Sequence, residues 1–484
     1  MLRSHEGNGG MDRTQRYTRV DAMLNKYGQA HLLAFYDELT GEEKDHLLSE
    51  LEAQDWPRLE ELISRQVLAQ PGAELPETIE PAPYYPKTPT AELEAKYQEA
   101  RALGESLIRN GQVAAFTVAG GQGTRLGWDG PKGTFPATPV LGKPLFRVFA
   151  EYLRKVEQKY GRAVPWYVMT SPLNDAATRA FFEAHDHFGL DPANVMLFAQ
   201  GTMPSIGMDG KVLLAGKGAL ALSPDGHGGS LRALHTSGAL DDMARRGVTQ
   251  ISYFQVDNPS VHCVDPLFLG LHALDSAEMS SKGLPKTGPS ERVGNFCLLG
   301  GKVGVIEYSD MPAALAEARG EDGTLEFNLG SIAIHALSVT FVRRLSEGGR
   351  FGLPFHRADK KVSHVDVATG ERVEPEAPNA VKLELFVFDA LPLAETSIVL
   401  ETSRVEEFAP IKNAAGSDSP ASSKRLQSQR AATWLAQAGV ELPFGADGEV
   451  EAVLELSPLT AISLDDLAQA DLPKRIERES EVVL

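Results

Sequence analysis

Cysteine is nearly absent. Two residues, Cys263 and Cys297, leave no disulfide framework in a chain of 484 residues. Both stand in apolar runs, "SVHCVDPLF" and "NFCLLGG", and read as buried thiols of a reducing compartment. No run approaches the roughly 18 apolar residues of a membrane span. The opening "MLRSHEGNGGMDRTQRY" lacks the apolar centre of a signal peptide, and Met11 offers a second start. A cytoplasmic protein with no membrane partner is expected. Positive charge is also in short supply: 47 basic against 66 acidic residues give a formal charge of -19. That balance argues against general binding to nucleic acid or anionic lipid. It leaves room for a small anionic ligand, which local cations and backbone N–H groups can meet.

What is present is the composition of an ordinary globular protein, 42% hydrophobic and 23% charged, long enough for two or three domains. No internal repeat is evident. The first 70 or so residues read as helices: "AHLLAFYDEL" and "DHLLSELEAQDW" carry leucines at helical spacing. Thr40 and Glu43 make a capping-box pattern. A proline-rich linker, "QPGAELPETIEPAPYYPKTPT", precedes a helix that should stop at Gly111. Strand and helix then alternate: "VAAFTVAGG", "KPLFRVFAEYLRKVEQKYG", "PWYVMTS", "NDAATRAFFEAHDHFG", "NVMLFAQ", "SLRALHTSGALDDMARRG", "TQISYFQVDN". This order predicts a largely parallel sheet with helices on both faces, and ligands at the carboxyl ends of its strands. Antiparallel strands should follow in "VGNFCLLGGKVGVIEYSD", and short strands such as "EVEAVLELSP" near a charged tail. The expected fold is α/β with a Rossmann-like mixed sheet. Its divisions are an N-terminal helical region and linker (1–108), a catalytic domain (109–395) and a small C-terminal β-containing domain (396–484).

Within this frame "TVAGGQGTRLGWDGPKG", Thr117 to Gly133, stands out. It follows a buried strand, holds six glycines, and carries two cations, Arg125 and Lys132. Glycines let a backbone approach a ligand, and successive N–H groups form an anion nest. Three familiar nucleotide loops fail by spacing. Lys132 lies between Pro131 and Gly133, which is not a Walker pattern, and Leu126 stands where the dinucleotide and kinase loops need glycine. What remains is a loop that binds phosphates through backbone, with cations placed to stabilise charge. Nucleotidyl transfer has that need.

The loop resembles the signature of the eukaryotic-type UDP-sugar pyrophosphorylases (UDPGP type 1), AGGQGTRLG followed by PKG, and is most similar to the N-acetylglucosamine branch. "FAQGTMPSI", "LSPDGHGG", "MARRGVTQISYFQVDN", "IEYSD", "VKLELFVFD" and "EEFAPIKNA" resemble that family in the same order, over roughly residues 95 to 430. The resemblance implies a nucleotidyltransferase (GT-A-like) fold. It also implies transfer of a uridylyl group from UTP to a sugar 1-phosphate, with Mg²⁺: N-acetylglucosamine 1-phosphate first, and as the alternative glucose 1-phosphate or a broad range of sugar 1-phosphates. By resemblance, Val118, Ala119, Gly120 and Gly121 hold the uridine nucleotide, Gln200 reads the uracil edge, and Gly226 leaves room nearby. Arg125 is implied at the β,γ-phosphates and Lys132 at the α-phosphate in the transition state. Lys382 and Lys412 are implied at the phosphates as well, Lys412 with a catalytic part. Asp257 is the implied metal ligand. Gly294, Glu307 and Tyr308 match residues beside the sugar. His262 and His272 lack paired ligand spacing and read as structural.

Two positions depart from the pattern. The N-acetylhexosamine enzymes carry Asn where this chain has His227, and NAGN where it has "NLGS", so that Ser331 replaces an Asn. The glucose enzymes carry a His after the corresponding glycine. A buried amide that pairs with a substrate amide can shift specificity by orders of magnitude. The sugar choice is therefore expected to turn on His227 and Ser331.

Overall fold

The computed structural model describes residues 12–69, 75–76, 78–346 and 351–484. The signal-peptide reading of the first residues, and part of the proline-rich linker, lie outside them. Contacts divide the chain into two units. The first joins Met1–Glu74, Gly201–Gly229 and Pro354–Phe386; the second takes Leu75–Gln200, Ser230–Leu353 and Val387–Leu484. Among the described residues no helix is long and apolar enough to cross a membrane.

In the first unit, helices Arg13–Lys26, Gly41–Glu52 and Trp56–Leu62 share a core with a three-stranded sheet. That sheet pairs Phe355–Lys360 with Ala380–Leu385, and the latter with Ile206–Gly207, all antiparallel. Val20, Leu24, Leu47, Leu51, Val381 and Leu383 lie in the same apolar cluster. The Thr40–Glu43 capping box forms as expected, with both reciprocal bonds made. "AHLLAFYDEL" does not form the expected helix. It makes two short 3₁₀ turns, Ala30–Leu33 and Tyr36–Glu38. Its leucines still reach the core, because a 3₁₀ turn also brings residues three apart to one side.

The second unit is built on a ten-stranded mixed sheet. In chain order its strands are β1 (Ile79–Pro81), β2 (Val113–Val118), β3 (Trp166–Thr170), β4 (Val195–Ala199) and β5 (Gln250–Gln255). These are followed by β6 (Met279–Pro285), β7 (Gly294–Leu299), β8 (Lys302–Ile306), β9 (Leu329–Ser338) and β10 (Ser397–Glu401). The strands β5, β2, β3 and β4 lie side by side and parallel, as the strand–helix alternation predicts. β9 joins β5 antiparallel, and β7 and β8 form the expected antiparallel pair. β2 and β3 are buried along almost their whole length, which explains their unbroken apolar runs.

Helix α1 (Glu94–Arg109) ends as expected, with Gly111 just beyond it at φ +70°. It crosses helix α2 (Pro266–Leu274) at very close range. A Cβ at Gly104 would stand 1.8 Å from the Pro266 carbonyl oxygen, and one at Gly270 would stand 1.7 Å from that of Ala100. "SLRALHTSGALDDMARRG" is not one helix but two, Gly229–Thr236 and Ala239–Arg246. Gly238 separates them at φ +80°, a left-handed conformation that ends a helix. The last residues are more than a charged tail: Glu481–Val483 pairs in parallel with Val453–Glu455. These strands close a small apolar cluster that includes Ala431, Leu435, Leu454 and Ile476.

The helix crossing yields a direct expectation. Gly270→Ala should lower unfolding free energy by about 3 kcal/mol or more, since a backbone oxygen occupies the added methyl's place. Gly288→Ala, which meets nothing within 4 Å, should stay within about 0.5 kcal/mol of the parent. Urea unfolding of the two variants checks both; equal midpoints would contradict the close crossing.

Candidate active site

The site in the second unit begins with strand order. β2 and β5 pair in parallel, with Val118 opposite Gln255, so both strands end at the same edge. Just past β2 come Ala119, Gly120 and Gly121; just past β5 come Val256 and Asp257. Val256 N–H donates to the Val118 carbonyl at 3.1 Å and extends the pairing into the loops. Asn174 Nδ2 donates to the carbonyls of Ala119 (3.0 Å) and Gly121 (3.2 Å) and holds the glycine loop against the sheet. The loop then closes on itself: Gly123 N–H donates to Gly130 O at 2.9 Å, and Lys132 N–H to Gly121 O at 3.0 Å.

The glycines of the loop divide by purpose. Those at 123 and 133 are required by packing, since a Cβ there would stand 2.7 Å from Trp128 and 2.1 Å from the Phe146 ring. Gly121, in contrast, faces open space. At Gly120 a Cβ would stand 2.6 Å from Gln200 Oε1, so the buried amide of Gln200 lies directly over Gly120. The residues implied to hold base and ribose are thus neighbours here.

Arg125 sits exposed on the 3₁₀ turn Thr124–Leu126, with no ion-pair or hydrogen-bond partner among the described residues. Lys132 Nζ stands 3.9 Å from Asp257 Oδ2, and both side chains are largely buried. Lys412 comes to the same place through its backbone, because Ile411 N–H donates to the Asp257 carbonyl at 2.8 Å. The Lys412 ammonium lies over the Phe408 ring, 5.3 Å from its centre. Asp418 adds a second carboxylate nearby. Burial raises its pKa, with Asp257 adding to the rise and Lys412 and Arg404 opposing it. Its carbonyl accepts from Lys412 N–H at 2.6 Å.

The implied sugar residues gather at one end of β7, β8 and β9. Ser331 lies in register with both Gly294 and Gly283. Glu307 follows β8 directly, and its Oε1 lies 3.7 Å from where a Gly294 Cβ would stand. Tyr308 is exposed. The sequence reading missed Lys286, one residue past β6. It is buried and donates to Asn295 Oδ1 at 2.6 Å. Burial lowers its pKa, with Glu291 opposing. A lone lysine after an apolar strand carries no signal of its own; only the fold puts it beside Gly330 and Asn295. His272 is buried in the core, its Nδ1 2.7 Å from Ser280 Oγ. The His262 ring lies tilted against Tyr152 and edge-on to Trp434.

Three implied residues, Gly226, His227 and Lys382, belong to the first unit. There the "DGHGG" loop is fastened to the end of strand Ala380–Leu385: Leu385 N–H donates to Asp225 O, and Gly228 N–H to Leu385 O, each at 2.8 Å. Gly226, at φ +86°, has no room for a side chain because the Leu385 carbonyl lies 2.5 Å from its Cβ position. The obstruction there is the chain's own strand. Half-buried His227 stacks on Phe386, with ring centres 5.3 Å apart and planes 16° apart. His356 stacks on Phe386 as well, at 4.4 Å and 20°. Burial lowers the pKa of His227 to about 4, and the neighbouring His356 adds to the effect. Burial also lowers that of Lys382, with Glu384 opposing.

Likeness to known proteins agrees with this geometry. The family profile described as UTP–glucose-1-phosphate uridylyltransferase matches residues 65–429. The chain is 36% identical to a human protein named UDP-N-acetylhexosamine pyrophosphorylase-like protein 1, over 93% of each chain. It is 34% identical to the UDP-N-acetylglucosamine pyrophosphorylase of Saccharomyces cerevisiae, covering 90% of this chain and 95% of that one. The crystal structure of the uridine diphosphate N-acetylglucosamine pyrophosphorylase from Trypanosoma brucei superposes with a TM-score of 0.79 at 27% identity, over 96% and 95% of the two chains.

His227 and His272 carry a pH expectation. Both have pKa values lowered by burial to about 4, from an ordinary 6.5. The unfolded chain therefore takes up protons first as pH falls. Stability should be full above about pH 6.5 and decline toward pH 4. Denaturant midpoints measured from pH 7 to 4.5 should fall, and His227→Asn should flatten part of the decline; an unchanged slope would contradict a His227 ring held neutral in the fold.

With the glycine loop, the Lys132–Asp257 pair and the nucleotidyltransferase architecture in one chain, it belongs to the UTP–glucose-1-phosphate uridylyltransferase family and is a nucleotidyltransferase of the UDP-sugar pyrophosphorylase type.

Proposed function

We propose that the chain joins UTP and N-acetylglucosamine 1-phosphate to give UDP-N-acetylglucosamine and pyrophosphate. The observation that carries the reading is the meeting of Lys132, Asp257 and the Lys412 segment where β2 and β5 end. A phosphate oxygen of the sugar phosphate forms a bond to the α-phosphorus of UTP. The bond from that phosphorus to the bridging oxygen breaks, and its electron pair leaves with pyrophosphate. The attacking oxygen is already anionic, so no general base is required. Gln200 and Gly120 orient the uridine. Lys132 donates to the α-phosphate oxygens, and Arg125 to the β,γ-phosphates. Lys412 takes up remaining phosphate charge, while Glu307 and Tyr308 hold the sugar hydroxyls. Fixed donors of this kind lower the barrier where charge grows.

The donor set fits Mg²⁺. Among the described residues no cluster of three His, Cys, Asp or Glu side chains could form a protein-only metal cage. Mg²⁺ usually takes one or two protein carboxylates and fills its shell with phosphate and water oxygens. Asp257, with Asp418 near it, meets that need, and the ion when bound supplies positive charge shared between phosphates. The free, buried cysteines support a reducing, cytoplasmic setting.

The sugar assignment follows the relatives named for N-acetylhexosamine or N-acetylglucosamine, at 34–36% identity. A second reading, glucose 1-phosphate, is favoured by one feature: His227 after Gly226, like the glucose enzymes. Pyrophosphate release from UTP, Mg²⁺ and a panel of glucose, N-acetylglucosamine, N-acetylgalactosamine and galactose 1-phosphates separates them. N-acetylglucosamine 1-phosphate should rank first, and release with none of the four would end the reading. Lys132→Ala should cost about 100-fold in kcat and leave KM for UTP within about threefold, because its partner charge grows in the transition state. A change confined to KM would contradict that role. His227→Asn combined with Ser331→Asn should raise preference for N-acetylated sugars by about tenfold or more. An unchanged ranking would remove both positions from the choice of sugar.

A further inference from the structure

We infer that Asn258, backed by a buried Lys282–Glu407 pair, is a positioning residue that sets Lys412 against Asp257. The inference rests on the phosphate-facing reading of Lys412 and Asp257 given above. Asn258 directly follows Asp257 and is buried. Its Nδ2 donates to the Glu407 carbonyl at 2.7 Å, and its Oδ1 accepts from Ala409 N–H at 3.0 Å. Ile411 N–H then donates to the Asp257 carbonyl at 2.8 Å. The segment from Glu407 to Ile411 is therefore paired with Asp257 and Asn258 through one main-chain bond and two bonds to the Asn258 side chain. Lys412 is the next residue.

The pairing needs an amide. One end must donate and the other accept, and a side chain of this length offers both only as Asn. Asn258 Oδ1 also receives Ser260 N–H at 3.3 Å, which turns the loop that holds Asp257.

The other side of the segment is fixed to the sheet. Both oxygens of the buried Glu407 carboxylate accept from Lys282 Nζ, at 2.8 and 2.6 Å. Lys282 lies within β6 and also donates to Asp265, at 2.6 Å. Thr402 Oγ1 and His262 N–H complete the shell of Glu407, at 3.1 and 3.2 Å. Burial by itself would lower the pKa of Lys282; the two carboxylates outweigh it and the net shift is upward. An ammonium so held stays charged, and its removal would leave carboxylates buried without a partner. Glu407 is thus pinned from behind by the sheet and from in front by Asn258. Lys412 gains a fixed origin for its flexible side chain. Reacting groups displaced by about 1 Å can lose on the order of 100-fold in rate, so such an anchor bears on turnover.

A double-mutant cycle on pyrophosphate release tests this in the full-length protein. Asn258→Ala should lower kcat by at least about 30-fold and move KM for UTP less than about threefold. In a Lys412→Ala background the same change should cost less than about twofold, because the group it positions is gone. An equal loss in both backgrounds, or no loss in the parent, would overturn the inference. Asn258→Ser, whose hydroxyl spans only one of the two bonds, reads the same cycle should the alanine variant not fold. Lys412→Ala with parental kcat would instead overturn the phosphate role of Lys412 itself, leaving the two failures distinct.

Discussion

The parallel pairing of β2 with β5 is the constraint from which the site follows. Both strands are buried over most of their length, so neither can leave the sheet without stranding backbone groups that water does not reach. Parallel strands end at the same edge, and their register sets how far each loop starts from the other. The glycine loop and Asp257 are neighbours for that reason. Three further parts are fastened to this edge: Gln200 to the adjacent strand end, Asn174 to the glycine loop, and the Lys412 segment to Asp257 itself.

An acidic chain can gather cations at one strand edge in this way because charge is local. Arg125 and Lys132 come from one loop and Lys412 from a segment far along the chain, while the net charge of -19 is spread over the whole. Buried Lys286 and Lys282 show two uses of the same side chain. Lys282 is neutralised by Asp265 and Glu407 and fixes structure. The Lys286 ammonium donates to the neutral amide of Asn295. Nothing in their flanking sequence distinguishes them.

Much of the architecture was legible before the structure. The alternation of apolar strands with amphipathic helices gave the parallel core, and the Thr40 capping box and Gly111 marked helix ends, because each is a local pattern. Where local patterns competed, the reading slipped. Leucine spacing in "AHLLAFYDEL" fits a helix, yet short 3₁₀ turns satisfy the same contacts. Ser237 and Gly238 interrupt an otherwise continuous helical pattern, and the left-handed Gly238 settles the break. The glycine loop stood out in the sequence, but the division of labour within it did not. Trp128 and Phe146 occupy the space beside Gly123 and Gly133, and only packing shows that.

The sequence by itself determined the chemical inventory and the local elements: the strands, the loop bare of side chains, its two cations, and the carboxylate at a strand's end. Such features depend on residues a few positions apart, where backbone geometry leaves few choices. Tertiary structure alone decided which distant residues meet. The N-terminal helices share a core with strands near residues 355–385. Asn258 reaches a carbonyl 149 residues away. Phe386 stacks with two imidazoles from separate segments. No periodicity encodes such pairs, because they are fixed by the burial of whole faces and by the need to satisfy every buried polar group.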